Sequence, residues 1–300
     1  MKHSYEEQIV REIHTGKGGA FVYELTGGRI AKHVVRADMP RGAAWDGYMK
    51  EARFYARQMQ QPLPFVPEIL CSKWAAREWA ADEILIIMRK YRPLEKRSLA
   101  RGALEKVMAV LAQIHALPLP EAEAPAKPQT LSKEEIARCH TGWSKVLAEH
   151  GDAFSQEKLD ELAEAINRVN ERWHSARRCC VHGDFHAENL LTDAAGNIIV
   201  CDWQNIGVGH PAGDIAFLLS RLAADGVQID RTAAVDAYCR YAQGEITAGE
   251  IEAQMRLSNL NTSFVFWHHY LHGADKAAVR DIYEKMISDM EYLLLNMSGC

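Results

Sequence analysis

The sequence predicts an α+β protein of two lobes, and three patterns support this prediction. Residues 20–35 contain two strand-like segments around a glycine turn, and the apolar run 84–88 is typical of a buried strand. Residues 45–60 carry the apolar spacing of one helix, and most of the remaining chain has helical periodicity. We therefore expect a small antiparallel sheet with one helix over residues 1–91 and a largely helical lobe over residues 92–300.

The helical part of the sequence carries two signals for the start of a helix. Ser132 with Glu135, and Thr247 with Glu250, have the spacing of a capping box. The proline-rich stretch 118–128 is interpreted as a surface connection rather than a domain linker, because apolar periodicity continues on both of its sides.

The composition argues against several classes of protein. The chain has 300 residues, of which 48% are hydrophobic, and this is enough to bury a large core. The formal net charge of -5 gives no basic field for nucleic acid or an acidic membrane. The N-terminus is polar, no apolar run reaches the length of a bilayer, and the seven cysteines form no Cys-x-x-Cys pair. We expect a cytoplasmic protein with reduced thiols that binds neither nucleic acid nor membrane.

Two neighbouring stretches of sequence, 181–191 and 198–204, carry the most informative polar residues. The residues between them, Asp193-Ala194-Ala195-Gly196-Asn197, are typical of a turn. We therefore expect an antiparallel ribbon in which the polar residues of both stretches meet at one end.

The register of this ribbon decides which side chains meet. If Thr192 lies opposite Ile199, then Asn189 lies opposite Asp202, which brings an amide and a carboxylate together. Mg²⁺ takes few protein oxygens and keeps waters and phosphate oxygens as its other ligands. Asp184 precedes Asn189 on the loop entering the ribbon, where its carboxylate could accept a proton from an attacking hydroxyl. A well-placed general base contributes about 10²–10⁴-fold to a rate.

The Asp-x-x-x-x-Asn spacing and the following Asp resemble the catalytic loop of the protein-kinase-like fold. The His-Gly-Asp opening and the Asp-Trp pair are similar to the aminoglycoside phosphotransferase family, which includes relatives of choline kinase. The resemblance implies a bilobal kinase-like fold that uses ATP and Mg²⁺. It also implies that Asp184 is the catalytic base and that Asn189 and Asp202 hold Mg²⁺.

The same resemblance implies groups that bind the nucleotide phosphates. A strand lysine pairs with a helix glutamate in this family, and Lys32 and Glu51 fit that order of elements. Gly16, Gly18 and Gly19 precede the first predicted strand and suit a phosphate-binding loop, because glycine lets backbone donors approach closely.

The connection between the predicted lobes would bind the adenine edge through backbone groups. Met88 and Lys90 lie in this connection. Only eleven residues separate Asp202 from Asp214, whereas protein kinases need a longer segment to dock a peptide. We therefore expect a small-molecule hydroxyl acceptor, and no protein partner can be inferred.

Two classes of acceptor remain open. An aminoglycoside-like antibiotic would need an acidic pocket, whereas choline, an amino alcohol or a sugar would be a metabolic acceptor. A choline-like cation would suit an aromatic cage, to which Trp143, Trp267 and Tyr270 could contribute. The acids that could contribute to an acidic pocket are Glu188, Asp281 and Glu284.

Two other classes of function compete with the kinase interpretation. A nucleotide-binding regulator without turnover is one alternative, but it would have no need of the complete Asp184, Asn189 and Asp202 set. A zinc hydrolase is the other. The histidines that raise it are His182, His186, His268, His269 and His272, which lack the usual zinc-protease spacing.

Overall fold

The computed structural model describes most of the chain. The described residues are 5–13, 19–39, 45–74, 82–119, 130–174, 178–242 and 246–296. The predicted loop glycines Gly16 and Gly18 lie outside these residues, and Gly19 lies inside them.

The N-terminal part of the chain forms a five-stranded antiparallel sheet in the order β1-β2-β3-β5-β4. Its strands are β1 (Ile9–Ile13), β2 (Phe21–Leu25), β3 (Arg29–Val35), β4 (Ile69–Trp74) and β5 (Glu83–Arg89). Helix α1 (Trp45–Gln58) packs against β4 and β5. The predicted strands and helix of this region are present within a few residues of their expected bounds.

Shorter strands and eight further helices follow the sheet in the described chain. The strands are β6 (Arg92–Pro93), β7 (Cys179–Val181), β8 (Leu190–Thr192), β9 (Ile198–Val200) and β10 (Gly207–Gly209), and they form the sheets β6-β8-β9 and β7-β10. The helices are α2 (Lys96–Ser98), α3 (Leu104–His115), α4 (Lys133–Ala148), α5 (Gln156–His174), α6 (Pro211–Ala224), α7 (Arg231–Tyr241), α8 (Ala248–Phe266) and α9 (Lys276–Leu295). Antiparallel sheet plus many helices confirms the predicted α+β class.

The chain divides into two compact units. The first comprises residues 1–119, 180–207 and 217–242, and the second comprises residues 120–179, 208–216 and 243–300. In the first unit, α3 packs against α7, and the buried His115 Nδ1 lies 2.8 Å from the Tyr238 hydroxyl. The second unit has its own apolar core, formed largely by α4, α5, α8 and α9.

Both predicted capping boxes are present in the second unit. The Ser132 hydroxyl accepts the Glu135 amide while the Glu135 carboxylate accepts the Ser132 amide, so α4 begins as expected. Thr247 and Glu250 make the same reciprocal bonds at the start of α8.

The predicted register of the β8–β9 ribbon is wrong by one residue. Thr192 lies opposite Ile198 instead of Ile199. The turn decides the register: the Asp193 carboxylate accepts the amides of Ala195 and Asn197, and Gly196 has a φ of 79°. The Gly196 amide donates to the Asp193 carbonyl and the Asp193 amide donates to the Asn197 carbonyl, both at 3.2 Å, which closes a three-residue loop and sets the pairing.

The corrected register changes what faces Asn189. The Cys201 amide donates to the Asn189 carbonyl oxygen at 3.0 Å, so Cys201 and not Asp202 lies opposite Asn189. Asp202 is the next residue, just beyond the end of the ladder.

Candidate functional site

Glu51 is the one charged side chain among the buried residues of helix α1. Tyr48, Glu51, Ala52 and Tyr55 are buried and follow the i, i+3, i+4, i+7 spacing of a single helix face. Glu51 is fully buried. Because a buried carboxylate needs a compensating partner, this position points to a specific cation nearby.

Lys32 supplies that cation from β3, a strand paired on both sides. Its Nζ lies 2.7 Å from Glu51 Oε2 and 2.7 Å from Asp202 Oδ1, and 5.1 Å from the centre of the Tyr48 ring. The predicted pairing of Lys32 with Glu51 is therefore present in the structure. The direct contact between Lys32 and Asp202 was not anticipated from the sequence.

The charges of this triad depend on one another. Burial lowers the pKa of Lys32, but the carboxylates of Glu51 and Asp202 outweigh it and raise the pKa above its usual value. Burial raises the pKa of Glu51, and the Lys32 ammonium acts in the opposite direction. For Asp202, burial is overcome by Lys32, which holds the pKa below its usual value. The site therefore keeps a lysine ammonium beside an ionised Asp202.

Asp202 reaches Lys32 through an unusual backbone conformation. It has a φ of 64°, and it is the one non-glycine residue with positive φ in the described part of the chain. Asp and Asn enter this left-handed region more readily than other residues, and strained positions of this kind cost about 1–3 kcal/mol each. The Asp202 amide donates to the Tyr55 hydroxyl at 3.3 Å.

The loop before β8 places Asp184 beside Asn189. Asn189 Nδ2 donates to the Asp184 backbone carbonyl at 2.9 Å and lies 3.3 Å from Asp184 Oδ2. It also lies 3.2 Å from His186 Nε2, and His186 Nε2 is 3.6 Å from Asp184 Oδ2. The Asp184 carboxylate is partly exposed, so a reactant could approach it.

His182 fixes the start of this loop. It is fully buried, its Nδ1 accepts the Asp184 amide at 3.2 Å, and its Nε2 lies 3.0 Å from the Cys201 carbonyl oxygen. These partners assign the ring proton to Nε2. His182 therefore ties the Asp184 loop to the strand end that leads to Asp202.

The Trp203 ring locks the neighbouring turn against α1. Trp203 is fully buried, stacks on Phe54 with ring centres 4.3 Å apart, and donates its indole N–H to the Val200 carbonyl at 2.8 Å. Its ring also lies edge-on to His182. Aromatic packing thus holds the Asp202 turn, the Asp184 loop and α1 in one arrangement.

The donor set fits a hard divalent cation. Asp202 offers a carboxylate, and Asn189 Oδ1 accepts no hydrogen bond from any described residue while its Nδ2 is used within the loop. One carboxylate and one amide oxygen suit Mg²⁺, which takes its other ligands from water and phosphate. In the described ranges, no group of three His, Cys, Asp or Glu side chains could hold a metal ion, so the zinc hypothesis has no support there.

Comparison with known proteins decides the family. Residues 12–256 match the phosphotransferase enzyme family. The chain belongs to this family. It is therefore a phosphotransferase, and the resemblance inferred from the sequence is confirmed. No curated protein sequence matches the chain significantly.

Solved structures share the fold of this phosphotransferase at low sequence identity. Aminoglycoside phosphotransferase APH(2'')-Ib in its ADP-bound form has a TM-score of 0.56 and 15% identity, covering 94% of this chain and 93% of its own. Choline kinase LicA from Streptococcus pneumoniae has a TM-score of 0.53 and 13% identity, covering 95% of both chains. The predicted kinase-like fold is confirmed by these similarities.

Of the remaining predicted nucleotide-binding residues, the described ones lie in β5, just after it, and just before β2. Met88 is buried in β5, paired with both neighbouring strands. The Lys90 amide donates to the Gly28 carbonyl at 2.8 Å, which leaves the Lys90 carbonyl as its other backbone hydrogen-bonding group. Gly19 has a φ of 77° and directly precedes the sheet segment that enters β2.

A groove of about 750 Å³ lies on another part of the first unit. It is lined mainly by the proline-rich loop after α1, the end of β5 and the β8–β9 turn. Lys90 is among its lining residues, whereas Lys32, Asp184, Asn189 and Asp202 are not.

One residue of the suggested aromatic cage is excluded. Trp143 is fully buried and donates its indole N–H to the Phe264 carbonyl at 3.1 Å, so it is a core residue. Trp267 and Tyr270 remain exposed, with ring centres 6.4 Å apart.

In the first unit, Glu188 of the suggested acidic pocket is already paired with Lys96 at 3.1 Å.

No helix in the described ranges combines the length and the apolar character that crossing a membrane requires.

Proposed function

We propose that this phosphotransferase uses ATP and Mg²⁺ to transfer the γ-phosphoryl group to a hydroxyl of a small molecule. The observation that carries the proposal is the position of Lys32 between Glu51 and Asp202. Asp184 and Asn189 belong to the same unit, and His182 joins their loop to the strand end that leads to Asp202. Such an arrangement combines one cation with carboxylate and amide oxygens, which phosphoryl transfer needs for alignment and charge neutralisation.

Each residue has a distinct proposed role. Lys32, held by Glu51, would bind phosphate oxygens, while Asn189 and Asp202 would hold Mg²⁺. The ion would neutralise negative charge on the transferred group. Asp184 would accept the proton of the acceptor hydroxyl as the new oxygen–phosphorus bond forms and the bond to the leaving diphosphate breaks.

The nucleotide would be bound by residues 1–91 and the acceptor by residues 92–300. Gly16, Gly18 and Gly19 would line the phosphates, and the Lys90 carbonyl, two residues beyond the paired backbone of Met88, would contact the adenine edge. Structures similar to this chain are named as complexes with ADP and with GDP, which supports a nucleotide donor.

The acceptor would be an aminoglycoside-like molecule or an amino alcohol or sugar. Similar structures carry the names of a gentamicin complex and of choline kinase, which supports both classes. The ion pair between Glu188 and Lys96 neutralises one of the acids suggested for an aminoglycoside pocket. This pairing leaves Glu188 less able to bind a cationic acceptor, whether aminoglycoside or amino alcohol.

The decisive experiment measures ADP formation from Mg·ATP with panels of aminoglycosides, amino alcohols and sugars. Wild type should turn over one class, and Asp184→Asn should lower kcat by about 10²–10⁴-fold while retaining Mg·ATP binding. Asp160→Asn, which changes an exposed acid on α5, is the matched control and should keep full activity. Equal activity of Asp184→Asn and wild type would refute the enzyme mechanism. Nucleotide binding without turnover on any acceptor would favour a nucleotide-binding regulator.

A further inference from the structure

Within the described part of the chain, Asp202 makes two hydrogen bonds, one through its side chain and one through its backbone. Lys32 donates to the carboxylate, and the backbone amide donates to the Tyr55 hydroxyl at 3.3 Å. Tyr55 is fully buried on the same face of α1 as Glu51, one helical turn further on. A single helix therefore contacts both Lys32 and Asp202.

We propose that Tyr55 is a positioning residue that holds Asp202 in its left-handed conformation, so that its carboxylate can bind Mg²⁺. This inference rests on the proposed function. Tyr55 would touch neither the nucleotide nor the metal ion and would act through the Asp202 backbone.

The argument starts from the backbone of Asp202. A residue with a side chain enters the left-handed region only when its surroundings compensate for the strain. An amide left without an acceptor at this position would add a second unfavourable contribution. The Tyr55 hydroxyl accepts a hydrogen bond from the Asp202 amide, so the amide is not left without an acceptor. Burial keeps the pKa of Tyr55 well above its usual value, so the phenol stays neutral.

Nucleotide binding makes this hydrogen bond more important. Lys32 is proposed to bind phosphate oxygens, and its ammonium cannot then neutralise Asp202 to the same extent. The bond from the Asp202 amide to Tyr55 does not depend on the nucleotide. It would therefore keep the carboxylate in place while Lys32 changes partners and Mg²⁺ supplies the positive charge.

Tyr55→Phe tests the role with minimal change, because it keeps the ring packed beside Phe54 and removes the hydroxyl. The measurement is calorimetric titration with ADP, once in excess Mg²⁺ and once in EDTA. Wild type should bind ADP more tightly in Mg²⁺. Tyr55→Phe should weaken binding in Mg²⁺ about tenfold, equivalent to about 1.4 kcal/mol, and leave binding in EDTA unchanged.

Two further variants separate positioning from general stability. Tyr238→Phe removes another buried hydroxyl, one that lies 2.8 Å from His115 Nδ1, and should leave both ADP affinities unchanged. In an Asp202→Asn background, Tyr55→Phe should have no additional effect in Mg²⁺, because the metal-binding carboxylate that Tyr55 is proposed to position is already absent.

The outcomes distinguish this inference from the proposed function. Suppose that wild type binds ADP more tightly in Mg²⁺. If Tyr55→Phe then has the ADP affinity of wild type, or weakens ADP binding equally in Mg²⁺ and in EDTA, the positioning role is overturned while the proposed function stands. If wild type binds ADP equally in Mg²⁺ and EDTA, the metal assignment fails, and the Tyr55 role fails with it.

Discussion

The Glu51→Gln substitution tests whether burial increases the contribution of the ion pair with Lys32 to the stability of the protein. The two side chains are 2.7 Å apart and only 1% and 12% exposed. Removing one partner of a buried pair costs about 3–5 kcal/mol when the other charge is left alone. Lys32 keeps Asp202 as a second partner at 2.7 Å. We therefore expect a smaller loss of about 2–3 kcal/mol, which is typical of a hydrogen bond between charged groups.

A second ion pair of the same unit provides the control. Glu68 lies 2.6 Å from Arg89, but these side chains are 52% and 59% exposed. Exposed pairs contribute about 0–1 kcal/mol, so Glu68→Gln should change stability by no more than this. The two substitutions remove the same charge from pairs of nearly equal length, and they differ in the exposure of the pair.

The assay is thermal unfolding followed by circular dichroism. Unfolding entropy is about 2.1 cal/mol/K per residue, so in a chain of 300 residues a loss of about 1 kcal/mol lowers Tm by about 1.6 °C, and Glu51→Gln should lower Tm by about 3–5 °C. Glu68→Gln should stay within about 2 °C of wild type, and its small effect should disappear at about 0.5 M salt because of screening. Equal losses of Tm from the two substitutions would refute the reasoning that burial determines how much an ion pair contributes to stability.

Two further predictions concern close packing and thiol chemistry. Gly142→Ala would favour helix α4 by about 1 kcal/mol through helix propensity, but the added Cβ would clash with His268 Nδ1, so the substitution should lower Tm. Gly213→Ala in α6, where nothing lies within 4 Å, should not, and equal melting of the two variants would contradict this packing. Burial raises the pKa of Cys201 to about 12, so its thiol stays protonated at pH 8 and should resist iodoacetamide until the protein is denatured. Peptide mass spectrometry checks this, and rapid labelling of native Cys201 would show that the thiol is more acidic.

The sequence allowed the central elements and the grouping of site residues to be predicted for specific reasons. A strand, a glycine turn and a returning strand placed Lys32 in a sheet, and helical spacing placed Glu51 on α1. These patterns are local, and local periodicity is what a single sequence reports well. The ion pair between the two residues required only that strand and helix pack together.

Strands β1 and β4 were not predicted. β1 lies at the sheet edge, and four of its five residues are exposed, so it lacks the alternation that marks a half-buried strand. β4 follows the proline-rich loop after α1, and its Ile69-Leu70-Cys71-Ser72-Lys73-Trp74 sequence has no clear period. Strand pairing provides the hydrogen bonds here, and this long-range information is absent from local patterns.

The ribbon register and the role of Tyr55 were missed for a related reason. The residues flanking the turn predict a ribbon, but the hydrogen bonds to Asp193 determine its loop length and therefore the register. Tyr55 was assigned to the apolar face of α1, whereas its hydroxyl accepts an amide 147 residues later in the chain. A contact over that distance depends on the complete fold.

The order in which the chain is synthesised affects the Lys32 triad. Asp202 lies 170 residues after Lys32, whereas Glu51 follows after 19. N-terminal segments fold first during synthesis at about 5–20 residues per second, so Lys32 and Glu51 can pair roughly 8–30 seconds before Asp202 is made. The early sheet and helix would then carry a lysine and a glutamate of opposite charge. The nascent chain gains the second carboxylate only when the ribbon closes this long loop, so the proposed metal site would be completed late in folding.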